Sequence, residues 1–544
     1  MSIGSPARTR RERVDQWSLV VFVAVVALAV PLLLYLGRDQ WFFLDEWWLL
    51  GDGADSLDGY FESHNGHWIT LTAIVYRINY ELWGLHSYLP YQVPVVLVHV
   101  GSAILLRLLM RRLGVRGWIA TFAALIFVFF GSGGQNLFFG FQLSVTGSLF
   151  CGLALFLLAD RDGALGRRDV VALAVGLVGL TTSGVFVPMV AGVAVAVLLR
   201  RGLVAAAFYA VPPALVYGIW YLSYGRDDSA LSFSASAEAV RFVVRMLTGT
   251  FTALAGSDLG GIALGFVVLV TVGVLVGGAI KARQWTALAL PAGVLTAWAA
   301  FACLTALARA SEFGAGSGES DRYIHITAAL FLPLIALGAE YLARENTLVG
   351  FLPLLPLAVG LPGNVDALAN PNPFALGDPN TIEALAHSEY IDDVRPDFEP
   401  LSVQIADTRV NLPITAGWLA REARGGAIPE PTGDDPTRRL NAYGLLALRQ
   451  EIDDAVRRRC PRVMSRNVEL TLGVGEQIVF DGRIQVMFRD GRHRSNPFVF
   501  DSTRGRALVA ELGPLNVLVG SVHGDRPRLC QPSRAGPPLA GTGQ

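Results

Sequence analysis

The stretch "WFFLDEWWLL", residues 41–50, sets two adjacent carboxylates, Asp45 and Glu46, inside a run of aromatics and leucines. A carboxylate taken out of water is costly unless it is paired or neutralised. Where this stretch lies relative to a bilayer therefore decides the fold. The run before it, Leu19 to Leu36, is continuously apolar, and about 20 such residues cross a hydrocarbon core. The basic segment "MSIGSPARTRRERVDQWS" ahead of that run could pass for the start of a signal peptide. The run is long, however, and "YLGRDQWFF" after it lacks a small-x-small cleavage site. It reads as an uncleaved first transmembrane helix, with the acid pair just beyond its exit.

The rest of the chain agrees. Its 544 residues are 52% apolar and 16% charged, with mean hydropathy +0.45; a soluble chain is about a quarter charged. The net charge of −1 and the lack of a long basic tract give no sign of a nucleic-acid partner. The fold class is a mainly α, polytopic membrane protein of about eleven transmembrane helices, followed by a small α+β domain.

Basic clusters recur at alternate ends of the apolar runs: Arg8 to Arg13, Arg107 to Arg116, Arg161 to Arg168, Arg200 and Arg201, Lys281 and Arg283, then Arg344. Placing them all in the cytoplasm gives one consistent path. Residues 1–16 are a cytoplasmic basic N-terminus, and 17–362 the transmembrane domain, with a long first outer loop at 38–88. The expected spans are 17–37, 89–110, 117–132, 141–160, 203–223, 258–280, 285–308, 323–343 and 347–362. The outer loop between 132 and 141 reads "GSGGQNLFFG". The run 169–199 is too long for one span yet basic at both ends, so "TTSG" at 181–184 breaks it into two short helices that turn near the outer face. "AEAVRFVVRMLTGTFTAL", between 225 and 257, has helical apolar spacing suited to the membrane surface.

Composition shifts at residues 363–380, where Pro, Asn and Gly mark a linker. Residues 381–532 form the extracytoplasmic α+β domain, and 533–544 a disordered tail. "NVELTLGV", "QIVFDGRIQVMFRDG" and "LNVLVGSVHG" alternate as strands do, and "TRRLNAYGLLALRQEIDDAVRRR" reads as one or two helices. Cys151 and Cys303 lie in membrane helices as packing residues. Cys460 and Cys530 bracket the strand-rich part, and an oxidising compartment favours a disulfide between them.

The unusual polar residues collect on the expected outer side. Loop 38–88 holds Asp45, Glu46, Asp52, Asp55, Asp58, Glu62, His64, Asn65 and His67, and is longer than a connector needs. "SHNGHW" sets two imidazoles three residues apart beside an amide, and "GHWITLTAIVYRINYELWGLH" then reads as an amphipathic interfacial helix. The later loop "ASEFGAGSGESDRYIHI" ends in Asp321, Arg322, Tyr323 and His325 at the membrane boundary. Acids in an exposed loop are ordinarily just solvated. Asp45 and Glu46 differ because aromatics flank them, and paired acids in an apolar setting are functional candidates. Arg322 could simply snorkel, but its planar fork suits a lipid-linked phosphate. For His64 and His67 the alternative is interfacial packing; His99, in mid-helix, reads as a packed hydrogen-bonding residue.

A first helix, a long outer loop opening on an acid pair, an interfacial helix and then "YLPYQVPVVLVHVGSAILLRLLMRR" resemble the GT-C superfamily of integral-membrane glycosyltransferases, which use polyprenyl-phosphate sugars. "GGQNLFFGFQLSVTGSLFCGLALFLLADR", "VPPALVYGIWYLSYG" and "SDRYIHITAALFLPLIAL" are similar to an uncharacterised actinobacterial branch of it. The resemblance covers roughly residues 15–345 and leaves the C-terminal domain unmatched. It implies a hexosyl- or pentosyltransferase with Asp45 as catalytic base and Glu46 assisting. It also implies Arg322 and Tyr323 at the donor phosphate; His325 is expected beside them at the phosphate and lipid, and His64, Asn65, His67 and Gln142 are expected at the substrate. The implied partners are a polyprenyl-phosphate sugar donor, membrane lipid and a cell-envelope glycan, lipid or protein acceptor.

The chemistry agrees independently. Inverting transfer needs a carboxylate base, and the lipid phosphate leaves without a general acid, helped by a nearby cation. No residue set demands a metal or cofactor, although His64, His67 and the acids could hold a divalent ion. Two other functions compete. A transporter or flippase would show mid-bilayer charges and internal repeats, neither of which is prominent. A non-catalytic glycan-binding scaffold would not need the intact acid pair.

Overall fold

The structure, a computed structural model, describes residues 10–51, 56–226, 237–346, 348–370, 379–405, 408–410, 413–452, 467–522, 528–529 and 533–534. Cys460 and Cys530, and with them the expected disulfide, lie outside the described residues, as do Asp52 and Asp55. The chain forms two compact units: Met1–Asp39, Ser56–Val75 and Leu89–Pro373 make the first, and Gln40–Asp55, Tyr76–Tyr88 and Phe374–Gln544 the second.

In chain order the helices are α1 (Arg10–Leu36), α2 (Asp45–Leu50), α3 (Thr70–Trp83), α4 (Leu89–Arg112), α5 (Gly117–Val128), α6 (Gly134–Phe138), α7 (Leu143–Ala159), α8 (Arg167–Leu180), α9 (Phe186–Arg201), α10 (Leu203–Trp220), α11 (Ala237–Ala255), α12 (Asp258–Ala282), α13 (Ala289–Phe313), α14 (Asp321–Glu345) and α15 (Leu355–Ala369). A helix forms at every expected span. Among the described residues eight are long and apolar enough to cross a membrane, or nine if the bent pair Gly117–Val128 and Gly131–Phe138 counts as one span. The chain is a mainly α, polytopic membrane protein.

Three boundaries differ from expectation. The span expected over 117–132 stops at Val128, and a 54° bend leads through "GSGG" into α6, so part of the expected loop is helical. Gly131 makes the bend: its N–H donates to Asn364 Oδ1 at 2.8 Å, and a Cβ there would lie 2.7 Å from the Asn364 carbonyl. The last span begins as a 3₁₀ turn, Val349–Leu354, and α15 continues to Ala369, through residues that read as linker. α1 starts earlier, at Arg10.

α14 is the axis of the first unit, buried along nearly its whole length. Two buried acids tie the basic helix ends together. Glu340 accepts from the Arg116 N–H at 2.9 Å and pairs with the guanidinium groups of Arg116 and Arg344 at 3.3 and 3.5 Å. Asp169 accepts from Arg201 at 2.6 Å, Tyr209 Oη at 2.6 Å and the Gly166 N–H at 2.7 Å, with Arg161 at 3.1 Å. Removing one partner of such a set strands a buried charge, which costs about 3–5 kcal/mol. The helices α8 and α9 are the expected short pair. Thr182 and Ser183 of their "TTSG" break are buried, and Thr182 caps it by donating to the Gly179 carbonyl at 2.6 Å while sharing a 2.8 Å bond with Ser148. Cys151 is half-buried and Cys303 exposed.

The first unit also carries a two-stranded hairpin, β1 (Ser63–His64) and β2 (His67–Trp68). The second unit adds α16 (Pro379–Ala386), α17 (Ala416–Arg424) and α18 (Pro436–Ala447). Its strands are β3 (Val403–Ile405), β4 (Thr408–Val410), β5 (Leu448–Ile452), β6 (Val468–Leu472), β7 (Glu476–Asp490), β8 (His493–Arg494), β9 (Phe498–Ala510), β10 (Leu515–Ser521), β11 (Arg528–Leu529) and β12 (Ser533–Arg534). They pair antiparallel in the order β4-β3-β9-β7-β10-β6, with β5 on β9 and with β8, β11 and β12 on β7. Phe480, Ile484, Val486, Phe488, Phe498 and Phe500 fill the core of the central β7–β9 pair. One expectation changes here. Leu448–Ile452 is a strand rather than helix, because it pairs with Arg506–Ala510 of β9. Within β7, Gly482, at φ +101°, takes up a bulge.

Candidate active site

The acid pair opens α2, a single helical turn with sequence DEWWLL. Trp47, Leu49 and Leu50 are buried and anchor it. Leu44, just before the pair, has φ +47° and ψ −115°, a region that costs a non-glycine residue about 1–3 kcal/mol. The strain sits at the entry to the two acids.

Glu46 is wholly buried. Its Oε1 accepts from Tyr88 Oη at 2.6 Å and from Tyr76 Oη, and its Oε2 accepts from the Phe43 N–H at 2.8 Å. Phe42 closes the cluster, edge-on to Tyr88 at 5.0 Å. Burial pushes the Glu46 carboxyl up to about 8, and the charge of Asp45 adds to the rise; the hydrogen bonds from Tyr76, Tyr88 and Phe43 oppose it. Glu46 is therefore mostly protonated at neutral pH, while Asp45 is half-exposed at the first position of α2. Two neighbouring carboxyls thus sit in divergent environments, a pattern that separates roles in acid–base sites.

His64, Asn65 and His67 share the β1–β2 hairpin. Asn65 and Gly66 have φ of +52° and +79°, the two-residue Asn-Gly turn that matches strand twist. His64 and His67 pair directly across it, so both imidazoles stand on one face. The Asn65 amide bonds His64 Nε2 at 3.0 Å, and the His64 ring lies 5.4 Å from Phe141, the neighbour of Gln142. Gln142 is buried, and its Oε1 has no partner among the described residues. The hairpin seats on the "TTSG" break: Leu71 N–H donates to the Thr181 carbonyl at 2.9 Å, and a Cβ at Gly184 would lie 2.9 Å from His67 Nδ1. Trp68 stacks flat on Trp220 at 5.3 Å.

Arg322, Tyr323 and His325 occupy the first turns of α14. Asn136 of α6 organises them, its Nδ2 donating to His325 Nδ1 at 3.0 Å and to the Arg322 carbonyl at 3.2 Å. An acceptor at Nδ1 puts the His325 proton on Nε2. That Nε2–H, the Arg322 Nε–H and Asn136 Oδ1 are all buried with no partner among the described residues. Each such group costs about 1–3 kcal/mol, so each calls for an explanation. The Arg322 guanidinium lies 5.0 Å from the centre of the Tyr323 ring. His325 stacks on Phe127 at 4.7 Å and lies 5.2 Å from His99, which packs as expected and donates from Nε2 to the Val128 carbonyl at 3.2 Å.

No family model matches the chain, and no curated protein matches it. Two solved structures are similar. The chain is similar to ArnT. The crystal structure of ArnT from Cupriavidus metallidurans bound to undecaprenyl phosphate aligns over 72% of this chain and 83% of its own, at 14% identity and TM-score 0.41. The same ArnT in the apo state aligns over 77% and 90%, again at 14% identity and TM-score 0.41.

Asp45 and Glu46 belong to the second unit; His64, Asn65, His67, Gln142, Arg322, Tyr323 and His325 belong to the first. Among the described residues no three His, Cys, Asp or Glu side chains gather closely enough to hold a metal. Sequence reasoning missed Tyr76 and Tyr88, which lie 30 and 42 residues from Glu46 and carry no local signal. It also missed Asn136, read as a loop residue, and the hairpin, although Asn-Gly between two histidines is a recognisable turn signal.

Proposed function

We propose that the chain is a membrane glycosyltransferase that moves a sugar from a polyprenyl-phosphate donor to an extracytoplasmic cell-envelope acceptor, with inversion. The observation that carries this reading is the acid pair: a buried, neutral Glu46 beside a half-exposed Asp45. With Glu46 protonated, Asp45 is the one carboxyl of the pair left to serve as a single general base. Asp45 takes the proton of the acceptor hydroxyl as its oxygen attacks the anomeric carbon. The bond to the donor phosphate breaks, and the polyprenyl phosphate leaves as an anion. Glu46, locked by two tyrosines, fixes α2 and keeps a second charge away from the base.

The unpartnered donors of Arg322 and His325 support a role at the donor phosphate, since an anion is the acceptor such donors suit. His64, Asn65, His67 and Gln142 are assigned to substrate. The reading needs no cofactor. It sets the N-terminus in the cytoplasm and the C-terminal unit outside. A deletion strain tests it: loss of one sugar from the envelope with accumulation of a polyprenyl-phosphate sugar supports the assignment, and an unchanged envelope and lipid pool overturns it.

A further inference from the structure

Away from the acid pair, the second unit holds an open cleft of about 800 Å³, within the size range of small-ligand sites. One wall is the end of α3 and the turn after it, with Tyr80, Trp83 and His86; the other is α17, with Trp418, Arg421 and Glu422. Backbone contacts fix the walls. Leu85 N–H donates to the Ala427 carbonyl at 2.7 Å, and His86 Nε2 bonds the Gly426 carbonyl at 2.9 Å. Gly84, at φ +56°, allows that approach, since a Cβ there would lie 2.5 Å from the Ala427 oxygen.

The lining is polar, aromatic and charge-balanced. Its two arginines each pair with a glutamate, Arg77 with Glu81 at 2.6 Å and Arg421 with Glu422 at 3.0 Å. Tyr80 stacks on Trp418 at 6.0 Å and donates to Glu422 Oε2 at 2.6 Å. Trp83 leaves 48% of its surface in solvent. We propose that this cleft binds a neutral oligosaccharide. Paired charges cancel, so no net field attracts a phosphate or an acidic chain. The same pairs present planar donors and acceptors side by side, which suits vicinal hydroxyls, and an open indole face suits the C–H face of a pyranose ring. Fixed walls reduce the ordering cost of binding.

One helix, α3, links the cleft to the acid pair. Tyr80 is one turn from Tyr76, the hydroxyl that binds Glu46, and residues four apart share a helix face. Calling the bound sugar the acceptor glycan rests on the transferase reading; binding itself does not.

Full-length protein in lipid nanodiscs, free of glycoside detergent and of donor, is titrated with neutral tetrasaccharides of mannose, glucose, galactose and arabinose. A glucuronate tetrasaccharide and inorganic phosphate serve as anionic probes. At least one neutral tetrasaccharide binds, and Trp83→Ala and Arg421→Ala, both at exposed positions with unchanged melting temperature, each raise its Kd more than about tenfold. No neutral binder in the wild type, binding only by the anions, or an unchanged Kd in both variants overturns the proposal. Intact binding without any sugar transfer sinks the transferase reading alone, and transfer without binding sinks this one alone.

Discussion

Replacing Glu46 by glutamine removes a carboxyl that the fold holds protonated. Its pKa rises from 4.5 to about 8, so ionising it in the folded protein costs about 5 kcal/mol more than in the unfolded chain. The sign follows from proton binding. Between those two values the folded state holds a proton that the unfolded chain has released, so stability falls as pH rises through the window. Below it both states are protonated, and above it both are ionised and no further loss accrues. From pH 5 to pH 9 the wild type loses about 4 kcal/mol through this one group. The glutamine variant keeps a neutral side chain with an oxygen for the two tyrosines but leaves the Phe43 N–H without an acceptor. It is destabilised by about 1–3 kcal/mol at pH 5 and loses far less on going to pH 9. Thermal unfolding of both proteins at pH 5, 7 and 9 measures the difference, with the gap closing or reversing as pH rises. Parallel stability profiles, or a wild type that gains on the variant at high pH, would refute a buried neutral Glu46.

Other outcomes follow from the same contacts. Asp45→Asn lowers transfer by about 10²–10⁴-fold with an unchanged melting temperature; a fully active, folded variant removes Asp45 as the base. Arg322→Ala raises the donor KM, and lysine at that position restores charge but not the fork, so it rescues only in part; unaltered donor kinetics in both would dismiss the clamp. Asn136→Leu strips His325 and the Arg322 carbonyl of a donor and costs about 1–3 kcal/mol in chemical denaturation, a loss that an equally stable variant would deny. Gly84→Ala forces a side chain against the Ala427 carbonyl and weakens the α3–α17 turn, read as faster proteolysis after residue 84; wild-type resistance would contradict the close approach.

The membrane part was largely legible because apolar run length and Arg placement act locally. Each expected span became a helix, and even the "TTSG" break was readable from a run too long for one crossing. What failed was set by partners far along the chain. The strand Leu448–Ile452 continues a helical pattern and extends only because β9 offers it a ladder. α15 runs through prolines and glycines that read as linker, since Asn364 is held by Gly131 and by the Ala253 carbonyl. At the acid pair, aromatic flanks were enough to mark both residues as unusual. They could not say which was buried, because that depends on Tyr76 and Tyr88. The division between Asp45 and Glu46 is thus the part of the site that only three-dimensional contacts supply.

The proposed reaction is sugar transfer from a polyprenyl phosphate with Asp45 as base. The most direct measurement is a reconstituted assay in proteoliposomes, following release of free polyprenyl phosphate from a panel of labelled polyprenyl-phosphate hexoses and pentoses in the presence of envelope acceptor. The expected result is acceptor-dependent release by the wild type with at least one donor, and its loss in a folded Asp45→Asn protein. Release that continues undiminished in that variant, or none from any donor by the wild type, would contradict it.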